Sequence, residues 1–391
     1  MKNTGLGQYN IIDPLYDNQL MAVYDLNRLS FSPPEEIIAI QHDKEFCGYV
    51  SHILSTYFEQ PSEHLQFDLD YLTLTCGFTG RQLKRFEQGL KVGSDHKVKT
   101  GKPTRLKNAE PENQYARAYV LKLPYSADTV HIDIRDNNKK KGIRISFIPS
   151  VFTIGEFSTI FQIFKRAMGL CDYKAFVKNA KLTRIDNGLN LHGVPYPFLF
   201  PMCTDGRVKT NQIDMLAREY PEYGTEYIRE NEYWGSLQNS SLRTAYDATL
   251  KEIRSVQSSV EQHMGIECFM LELIENMPDD TLHCVSRIED RYLPNKSSDK
   301  VYKIRDLVNI PFRYKQIAIL NPTILCKLTK ENLHKLNRRG YSHSTGFHKS
   351  KESRKKSLAY FDNHKLAINY EELEIMYREH LKLYQKIIAK P

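Results

Sequence analysis

The most constraining feature of the sequence is a pair of alternating apolar and polar runs joined by a short loop. The runs "TVHIDIR" (129–135) and "IRISFIPSVF" (143–152) flank the turn-forming stretch "DNNKKKG". Period-two alternation is typical of a strand with one buried face, and so short a connection joins antiparallel neighbours. The run "ARAYVLKL" (116–123) alternates in the same way. We therefore predict an antiparallel sheet in this part of the chain.

Further segments predict helices that cover the sheet and strands that extend it. The stretch 155–171 has apolar residues at i, i+3 and i+4 spacing, which is typical of an amphipathic helix, and so does 366–388. The stretches "KLTRIDNGLNLHG" (181–193) and "TLHCVSRIEDRYLP" (281–294) read as strands. The predicted fold class is α+β, an antiparallel β-sheet core with packed helices and with helical or basic extensions at both ends.

We expect three parts in a chain of 391 residues, since this exceeds the usual size of one domain. Residues 1–111 are predicted to form an N-terminal extension that ends in a basic linker. Residues 112–310 hold the sheet, and residues 311–391 form a basic and helical C-terminal region. The first boundary follows the stretch 93–114, which is rich in turn formers and charges.

The cysteines and the hydropathy indicate a compartment. Seven cysteines are scattered without a C-x-x-C pair, which favours reduced thiols and a cytoplasmic protein. The N-terminus has no basic region followed by an apolar run, and no segment approaches 18 consecutive apolar residues. We therefore expect the cytoplasm of the cell and no membrane partner.

Three segments carry polar residues where strands are predicted. "TRID" places Arg184 and Asp186 in one strand, and "RIED" places Arg287 and Glu289 in another. "LRTAY" places Tyr246 at the end of a predicted hairpin strand, just before a helix. Charged groups in core strands are costly to bury without partners. These segments therefore predict a polar cleft that could bind a phosphate and a metal ion together.

The order of these segments resembles the replication initiators of filamentous bacteriophages. Those proteins, with related plasmid initiators, are nicking and joining endonucleases of rolling-circle replication. The matching pieces are "LTRIDNGLNL" (182–191), "SLRTAYDATLKE" (241–252) and "SRIEDRYL" (286–293), preceded by the strand at 143–152. The resemblance covers roughly residues 125–295, so it implies that residues 112–310 are a catalytic nicking and joining domain.

The resemblance implies roles for individual residues. Tyr246 corresponds to the attacking tyrosine, and Asp186 and Glu289 correspond to acidic residues that hold a divalent ion. Hard oxygen ligands favour Mg²⁺ or Mn²⁺. The family often has a lysine two residues after the tyrosine, where this chain has Ala248. The expected products are a 5′-phosphotyrosyl link to the protein and a free 3′-hydroxyl on the DNA. The displaced strand is later rejoined into a circle.

The chemistry requires positive charge beside the tyrosine. An unperturbed phenol has a pKa near 10, so at neutral pH it needs a cation or a base. Candidate catalytic cations are Arg243, Lys251 and Arg287. A covalent phosphotyrosyl intermediate stores the energy of the phosphodiester bond, so nicking and rejoining need no ATP.

Basic clusters indicate a polyanionic partner. With a net charge of +8, the chain has nine Lys or Arg against two acids in residues 81–107 and eight against one in 335–356. Candidate DNA contacts are Arg81, Lys84, Arg85, Arg338, Arg339, Lys355 and Lys356. Candidate stacking residues are Phe86, Tyr341 and Phe347. The expected partners are double-stranded origin DNA and its displaced single strand, with a host polymerase and helicase as further partners.

Each interpretation has an alternative. Tyr246 could be a packing residue, with Tyr223, Tyr227 and Tyr233 as the nearest rival nucleophiles. The strand "HID" makes His131 and Asp133 candidate metal ligands, but a solvated hairpin strand is the alternative. The carboxylates could also serve in structural ion pairs only. The whole protein could then be a DNA-binding regulator, or a hydrolytic nuclease in which metal-activated water attacks.

Overall fold

The computed structural model describes residues 29, 32–106, 114–126, 128–137, 140–204, 211–220, 224–235, 241–251, 284–294, 301–344, 352 and 363–391. Its strands are β1 (Gln66–Gly77), β2 (Lys97–Gly101), β3 (Arg117–Lys122), β4 (Thr129–Asp136), β5 (Lys141–Phe147), β6 (Lys181–His192), β7 (Pro201–Cys203), β8 (Asn211–Tyr220), β9 (Gly224–Gly235), β10 (Ser241–Asp247), β11 (Val285–Tyr292) and β12 (Ile317–Ile319). Ten of them form one sheet in the order β2-β3-β4-β5-β1-β6-β11-β10-β9-β8, while β7 pairs with β12. Every pairing between these described strands is antiparallel.

Helices cover the apolar face of the large sheet. In the described part of the chain they are α1 (Pro34–His42), α2 (Lys44–Glu59), α3 (Pro61–His64), α4 (Gly80–Leu90), α5 (Ile154–Met168), α6 (Leu170–Asn179), α7 (Lys330–Ser344) and α8 (Tyr370–Ala389). A large antiparallel sheet with packed helices confirms the predicted α+β class.

Helix α5 begins where its sequence predicts. The hydroxyl of Thr153 accepts from the backbone N–H of Glu156, and the Glu156 carboxylate accepts from the backbone N–H of Thr153. This reciprocal capping satisfies two backbone donors at the helix start. The helix ends at Gly169, whose φ of 79° suits a residue without a Cβ atom.

Aromatic contacts join α5 and α8 to the sheet in one core. The ring of Phe157 in α5 lies 4.9 Å from that of Tyr384 in α8, centroid to centroid. The ring of Phe67 in β1 lies 5.5 Å from that of Tyr377 in α8. Buried apolar side chains from the first helices to α8 form one continuous cluster within the described residues.

The structure does not follow the predicted domain boundaries. Strand β1 lies in the middle of the sheet between β5 and β6, although it belongs to the predicted N-terminal extension. The predicted linker at 93–114 contains β2, which forms the edge of the same sheet. Helix α8, from the predicted C-terminal region, packs on β1. The boundaries near residues 112 and 311 therefore do not separate independent cores.

Within the described residues, the chain between β6 and β11 contributes β8, β9 and β10 to the large sheet. The polar, tyrosine-rich connection after β6 contains β8 and most of β9, which sequence analysis missed. The predicted hairpin running into Tyr246 is confirmed as β9 paired with β10. The helix predicted after it lies largely outside the described residues, since only its first turn, up to Lys251, is described.

Among the residues described, we find no helix that is long and apolar enough to cross a membrane.

Candidate active site

The strand register brings the predicted site residues to one face of the sheet. Arg291 of β11 pairs with Asp186 of β6, and Arg287 of β11 pairs with Tyr246 of β10. Glu289 lies between the two arginines along β11. Because side chains alternate along a strand and align across neighbouring strands, all five point to the same side. We call this side of the sheet the polar face.

Tyr246 contacts Glu289 on the polar face. Its hydroxyl donates to Glu289 Oε2 at 3.2 Å, and only 5% of the residue is exposed. The ammonium of Lys251 lies 4.2 Å from the centroid of the ring. Burial raises the pKa of Tyr246 well above its usual value, with Glu289 and Asp70 adding to the effect and Arg287 opposing it. The phenol is therefore protonated at neutral pH, and Glu289 accepts its hydrogen bond.

Asp186 is engaged by two arginines. Arg184 Nε lies 3.0 Å and 2.9 Å from its two carboxylate oxygens, and Arg291 Nε donates to Oδ2 at 3.1 Å. Arg291 also reaches Glu289, with Nη2 3.7 Å from Oε1. Both oxygens of Asp186 are thus occupied by guanidinium donors. The arrangement is that of a structural ion pair, the alternative considered for this residue.

Two further carboxylates, missed in the sequence analysis, lie on the same face. Asp68 and Asp70 belong to β1, where the register shifts between Leu69 and Tyr71. The extra residue of such a bulge re-aims the neighbouring side chains. Arg287 extends from β11 across β6 and forms ion pairs with both aspartates, at 3.4 Å to Asp68 and in closer contact with Asp70. The pattern "DLD" within the apolar run 66–77 was the available signal.

Four polar atoms of this region are buried and lack a hydrogen-bond partner within the described chain. They are Asp70 Oδ2, Arg287 Nε, Asn190 Oδ1 and Thr244 Oγ1. Asn190 lies opposite Arg287 on β6, and its side-chain N–H donates to Asp68 Oδ2 at 2.6 Å. Unpaired buried polar groups are uncommon in folded proteins. The polar face therefore has donors and acceptors to spare for a ligand.

Asp70 titrates in the neutral range. Burial raises the pKa of its carboxyl group to about 7, while Arg287 lowers it and the charges of Glu289 and Asp68 raise it. Asp70 also accepts from the hydroxyl of Ser150 at 3.2 Å. A carboxyl group with this pKa can exchange a proton or take up a cation near physiological pH.

The donor set on the polar face fits a weakly chelated hard cation better than a closed metal cage. Within the residues described, no three His, Cys, Asp or Glu side chains come together as a metal-binding group. Mg²⁺ is commonly held by one or two carboxylates together with substrate phosphates and water. Asp70, with its unpaired oxygen, and Glu289 fit that pattern. Asp186 fits it less well, because two arginines hold its oxygens.

His131 and Asp133 are not brought to this site. They lie on β4, three strands from β6, which corresponds to about 14 Å across a sheet. The carboxylate of Asp133 is buried and accepts from the backbone N–H and the hydroxyl of Thr104, each at 2.8 Å. His131 Nε2 lies 3.1 Å from Asp133 Oδ1. These contacts fasten the segment around Thr104 to the sheet.

Of the three candidate catalytic cations, Arg243 lies on the face of the sheet opposite to that of Tyr246. It is three residues from Tyr246 in the same strand, so its side chain points to the opposite face of the sheet. There Arg243 Nη1 lies 3.2 Å from Cys203 Sγ, and its guanidinium also contacts Gln316. Arg287 and Lys251 lie beside Tyr246 as described above.

The basic clusters are only partly described. Arg81, Lys84 and Arg85 are on α4, and Arg85 pairs with Asp172 at 3.0 Å. Phe86 is fully buried, so the prediction that it stacks on bases is wrong.

In the second cluster, Arg338 is exposed on α7. Lys355, Lys356 and Phe347 lie outside the described residues, as do the side chains of Arg339 and Tyr341.

Comparison with known proteins adds no family. No protein-family model matches the chain, and no curated protein matches it significantly.

Proposed function

We propose that this protein initiates rolling-circle DNA replication by nicking one strand of an origin with Tyr246 and later rejoining that strand. The observation that carries the proposal is the hydrogen bond from the Tyr246 hydroxyl to Glu289 on a sheet face that also holds Arg287 and Lys251. A nucleophile, a proton acceptor and cations within one small region are what a transesterification at phosphorus requires. Arg81 and Lys84 on α4 would add affinity for the DNA backbone.

The nicking step balances without an outside co-reactant. The oxygen of Tyr246 bonds to the scissile phosphorus as its proton passes to Glu289. The bond from phosphorus to the 3′-oxygen breaks, and that oxygen leaves as a 3′-hydroxyl after taking up a proton. The number of phosphoester bonds is unchanged, so the step is reversible and a later 3′-hydroxyl can reclose the strand.

Positive charge near the phosphate offsets the charge that develops during the exchange. Arg287 Nε and Thr244 Oγ1 are buried donors without partners in the described chain, so both can donate to a phosphoryl oxygen. A Mg²⁺ or Mn²⁺ ion held by Asp70 and Glu289 would supply further neutralisation when bound. Glu289 still accepts the proton of Tyr246 by the same hydrogen bond.

Covalent capture tests the proposal and needs no defined origin sequence. Single-stranded oligonucleotides with a randomised core are incubated with the protein and Mn²⁺, complexes that survive SDS are isolated, and the captured DNA is sequenced. We expect a defined sequence to be enriched, and mass spectrometry to find the nucleotide adduct on the peptide that contains Tyr246. Tyr246→Phe should yield no adduct, whereas Tyr227→Phe serves as a matched control because Tyr227 is exposed on β9.

A non-catalytic DNA-binding protein is the second candidate. The observation that favours it is the full engagement of Asp186 by Arg184 and Arg291, which is what a structural ion pair requires. In that case the wild-type protein would retain oligonucleotides reversibly, and no SDS-stable adduct would form. A hydrolytic nuclease would instead cleave the DNA and leave every tyrosine unmodified.

A further inference from the structure

Arg243 carries a buried positive charge that is poorly matched by its surroundings. Only 2% of the residue is exposed. Among the described residues, the one carboxylate within 4 Å of it is that of Asp290, whose Oδ1 lies 3.9 Å from Arg243 Nε. That nitrogen has no hydrogen-bond partner in the described chain. Asp290 is instead held by Arg313, with Nε 3.1 Å from Oδ2 and Nη2 2.9 Å from Oδ1. Because a buried charge is costly without a counter-charge, Arg243 can neutralise a further anion.

The sulfur of Cys203 lies against this guanidinium. Arg243 Nη1 donates to Cys203 Sγ at 3.2 Å, and the guanidinium also contacts Gln316. Cys203 is the last residue of β7 and pairs with Ile317 of β12. The backbone N–H of Thr204 donates to the carbonyl of Gln316 at 2.8 Å. The pairing of these two short strands therefore fixes the sulfur beside the guanidinium.

The other cysteines of the described chain lack this setting. Burial raises the pKa of the Cys47 thiol to about 12 and that of the Cys76 thiol to about 11. The thiol of Cys326 donates to a backbone carbonyl at 3.3 Å. Cys171 is exposed on α6, and Cys268 lies outside the described residues. Within the described chain, no other cysteine accepts a hydrogen bond from a guanidinium.

We propose that Cys203 is a peroxide-reactive thiol, which is oxidised to a sulfenic acid whose oxygen is bound by Arg243. Cys203 is partly exposed, so a molecule as small as hydrogen peroxide can reach its sulfur. A guanidinium at hydrogen-bond distance offsets the negative charge that the sulfur carries as it attacks. Reactive cysteines occur in such electropositive, partly exposed surroundings, whereas structural cysteines are buried and inert. This chemistry needs neither DNA nor the hydroxyl of Tyr246, which lies on the other face of the sheet.

The oxidation balances with hydrogen peroxide as the oxidant. The thiol loses its proton, and the sulfur bonds to one oxygen of the peroxide as the O–O bond breaks. The sulfur loses two electrons, the other oxygen leaves as hydroxide, and the proton of the thiol converts that hydroxide to water. A small thiol then displaces the hydroxyl group from the sulfur as water and forms a mixed disulfide. A second small thiol restores Cys203 and leaves with the first as a disulfide.

Isotope-coded alkylation measures the oxidation of each cysteine and tests the proposal. The reduced protein is treated with hydrogen peroxide for increasing times, and catalase removes the peroxide. The remaining thiols are alkylated after denaturation and quantified by mass spectrometry. We expect Cys203 to be oxidised at least about ten times faster than Cys171, and dimedone present during the reaction to label the Cys203 peptide. Equal rates for the two thiols would overturn the proposal.

Substitutions at position 243 test the part played by the guanidinium. Arg243→Met removes the charge and should slow the oxidation of Cys203 to the rate of Cys171, whereas Arg243→Lys keeps a cation and should retain most of the wild-type rate. Arg305→Met removes the same charge from an exposed position and should change nothing.

Urea unfolding checks that each variant is folded. If a folded Arg243→Met protein is oxidised at Cys203 as fast as the wild type, the pairing with Arg243 is refuted. If Arg243→Met does not fold, the ratio of the Cys203 and Cys171 rates in the wild type and in Arg243→Lys decides the matter. A protein that forms no adduct with DNA but shows the expected ratio would lose the proposed function and keep this one.

Discussion

The guanidinium group of Arg287 lies directly over Gly188 of the neighbouring strand, in the space that a Cβ atom would fill. This contact lets Arg287 cross β6 and pair with Asp68 and Asp70 on β1. Gly188 itself faces Glu289 in the strand register. The ion pairs at the centre of the polar face therefore require a residue without a side chain at position 188.

Gly188→Ala should therefore displace Arg287. Adding a methyl group to a filled site costs about 1–3 kcal/mol in the free energy of unfolding, and adduct formation should fall because Arg287 moves from its position beside Tyr246. Urea unfolding measures the first effect and the covalent capture assay the second. Gly48→Ala is the matched control: no atom lies near its Cβ position within α2, so it should stabilise the protein by up to about 1 kcal/mol. Equal effects of the two substitutions would contradict the steric role of Gly188.

Glu289→Gln should slow adduct formation and leave the stability of the protein nearly unchanged. The amide keeps the size of the side chain but no longer takes the proton of Tyr246, and loss of a general base typically costs 10²–10⁴-fold in rate. We expect adduct formation to fall by about 100-fold or more, while the urea midpoint changes little. A Glu289→Gln protein that forms adduct at the wild-type rate would remove Glu289 from the mechanism.

Asp186→Ala should act mainly on stability. The substitution leaves the guanidinium groups of Arg184 and Arg291 without their shared acceptor, and we expect a loss of about 2 kcal/mol in the free energy of unfolding. Asp186→Asn, which preserves shape, should lose less. If Asp186→Ala unfolds at the urea concentration of the wild type, the ion pair is not structural. If Asp186→Asn loses Mn²⁺ binding and no other variant does, Asp186 is a metal ligand after all.

Metal binding should tighten as pH rises through 7. The Asp70 carboxyl group has a raised pKa of about 7 and must lose its proton to hold a cation. Below pH 7 the affinity for Mn²⁺ should fall up to tenfold per pH unit, and above pH 8 it should level off. Calorimetric titration with Mn²⁺ at several pH values measures this. Asp70→Asn should bind more weakly at pH 8 and lose the dependence around pH 7; a wild-type affinity that is flat from pH 6 to 8 would exclude Asp70 as a ligand.

Acid should weaken the fold through His380. Burial lowers the pKa of this imidazole to about 4 in the folded protein, against a usual value of about 6.5 in the unfolded chain. Between pH 6.5 and 4 the unfolded chain therefore binds a proton that the folded protein does not. Stability falls over that window by up to about 3 kcal/mol and changes no further through this group below pH 4.

The measurement is urea unfolding at pH 6.5, 5.5 and 4.5 on the wild type and on His380→Gln. The glutamine variant lacks the titrating group, so its stability should depend less on pH across this range. Parallel pH curves for the two proteins would show that another group is responsible.

Charge on α4 should govern the salt dependence of DNA binding. The double substitution Arg81→Glu and Lys84→Glu should weaken binding to any duplex and reduce the slope of log affinity against log salt by up to about 2, since each phosphate contact contributes about 0.9. Fluorescence anisotropy from 50 to 200 mM salt is the measurement. Lys174→Glu with Lys382→Glu makes the same charge change on α6 and α8. Equal slopes for the two double variants would show that α4 is not a DNA contact.

Local patterns account for the elements that sequence analysis predicted correctly. The alternation in β4 and β5 and the apolar stripes of α5 and α8 are readable because each depends on residues a few positions apart. Parity along a strand was also readable, and it would have shown that Arg243 and Tyr246, three residues apart, face opposite sides. Arg243 was nevertheless proposed as a catalytic cation, for its charge and its nearness in sequence, without regard to the face of the strand that it occupies.

The composition of the polar face could not be predicted in the same way. Asp70 and Arg287 are 217 positions apart and meet only because β1 lies beside β6 and a bulge turns the aspartate toward it. Neither the strand order nor the register shift has a local signature. The role of Gly188 follows from the path of one arginine side chain, which depends on the completed sheet.

The central position of β1 has a consequence for synthesis on the ribosome. Its neighbours β5 and β6 follow it by some 70 and 110 residues, and Arg287 emerges later still. Until β5 and β6 emerge, both edges of the apolar strand β1 are open to other chains, and the far edge of β6 stays open until β11 emerges. Asp68 and Asp70 lack their cation until Arg287 is made. We expect truncated products that stop before residue 284 to aggregate or to bind chaperones, and the electrostatic pairing of the first and last strands of this face to come late in folding.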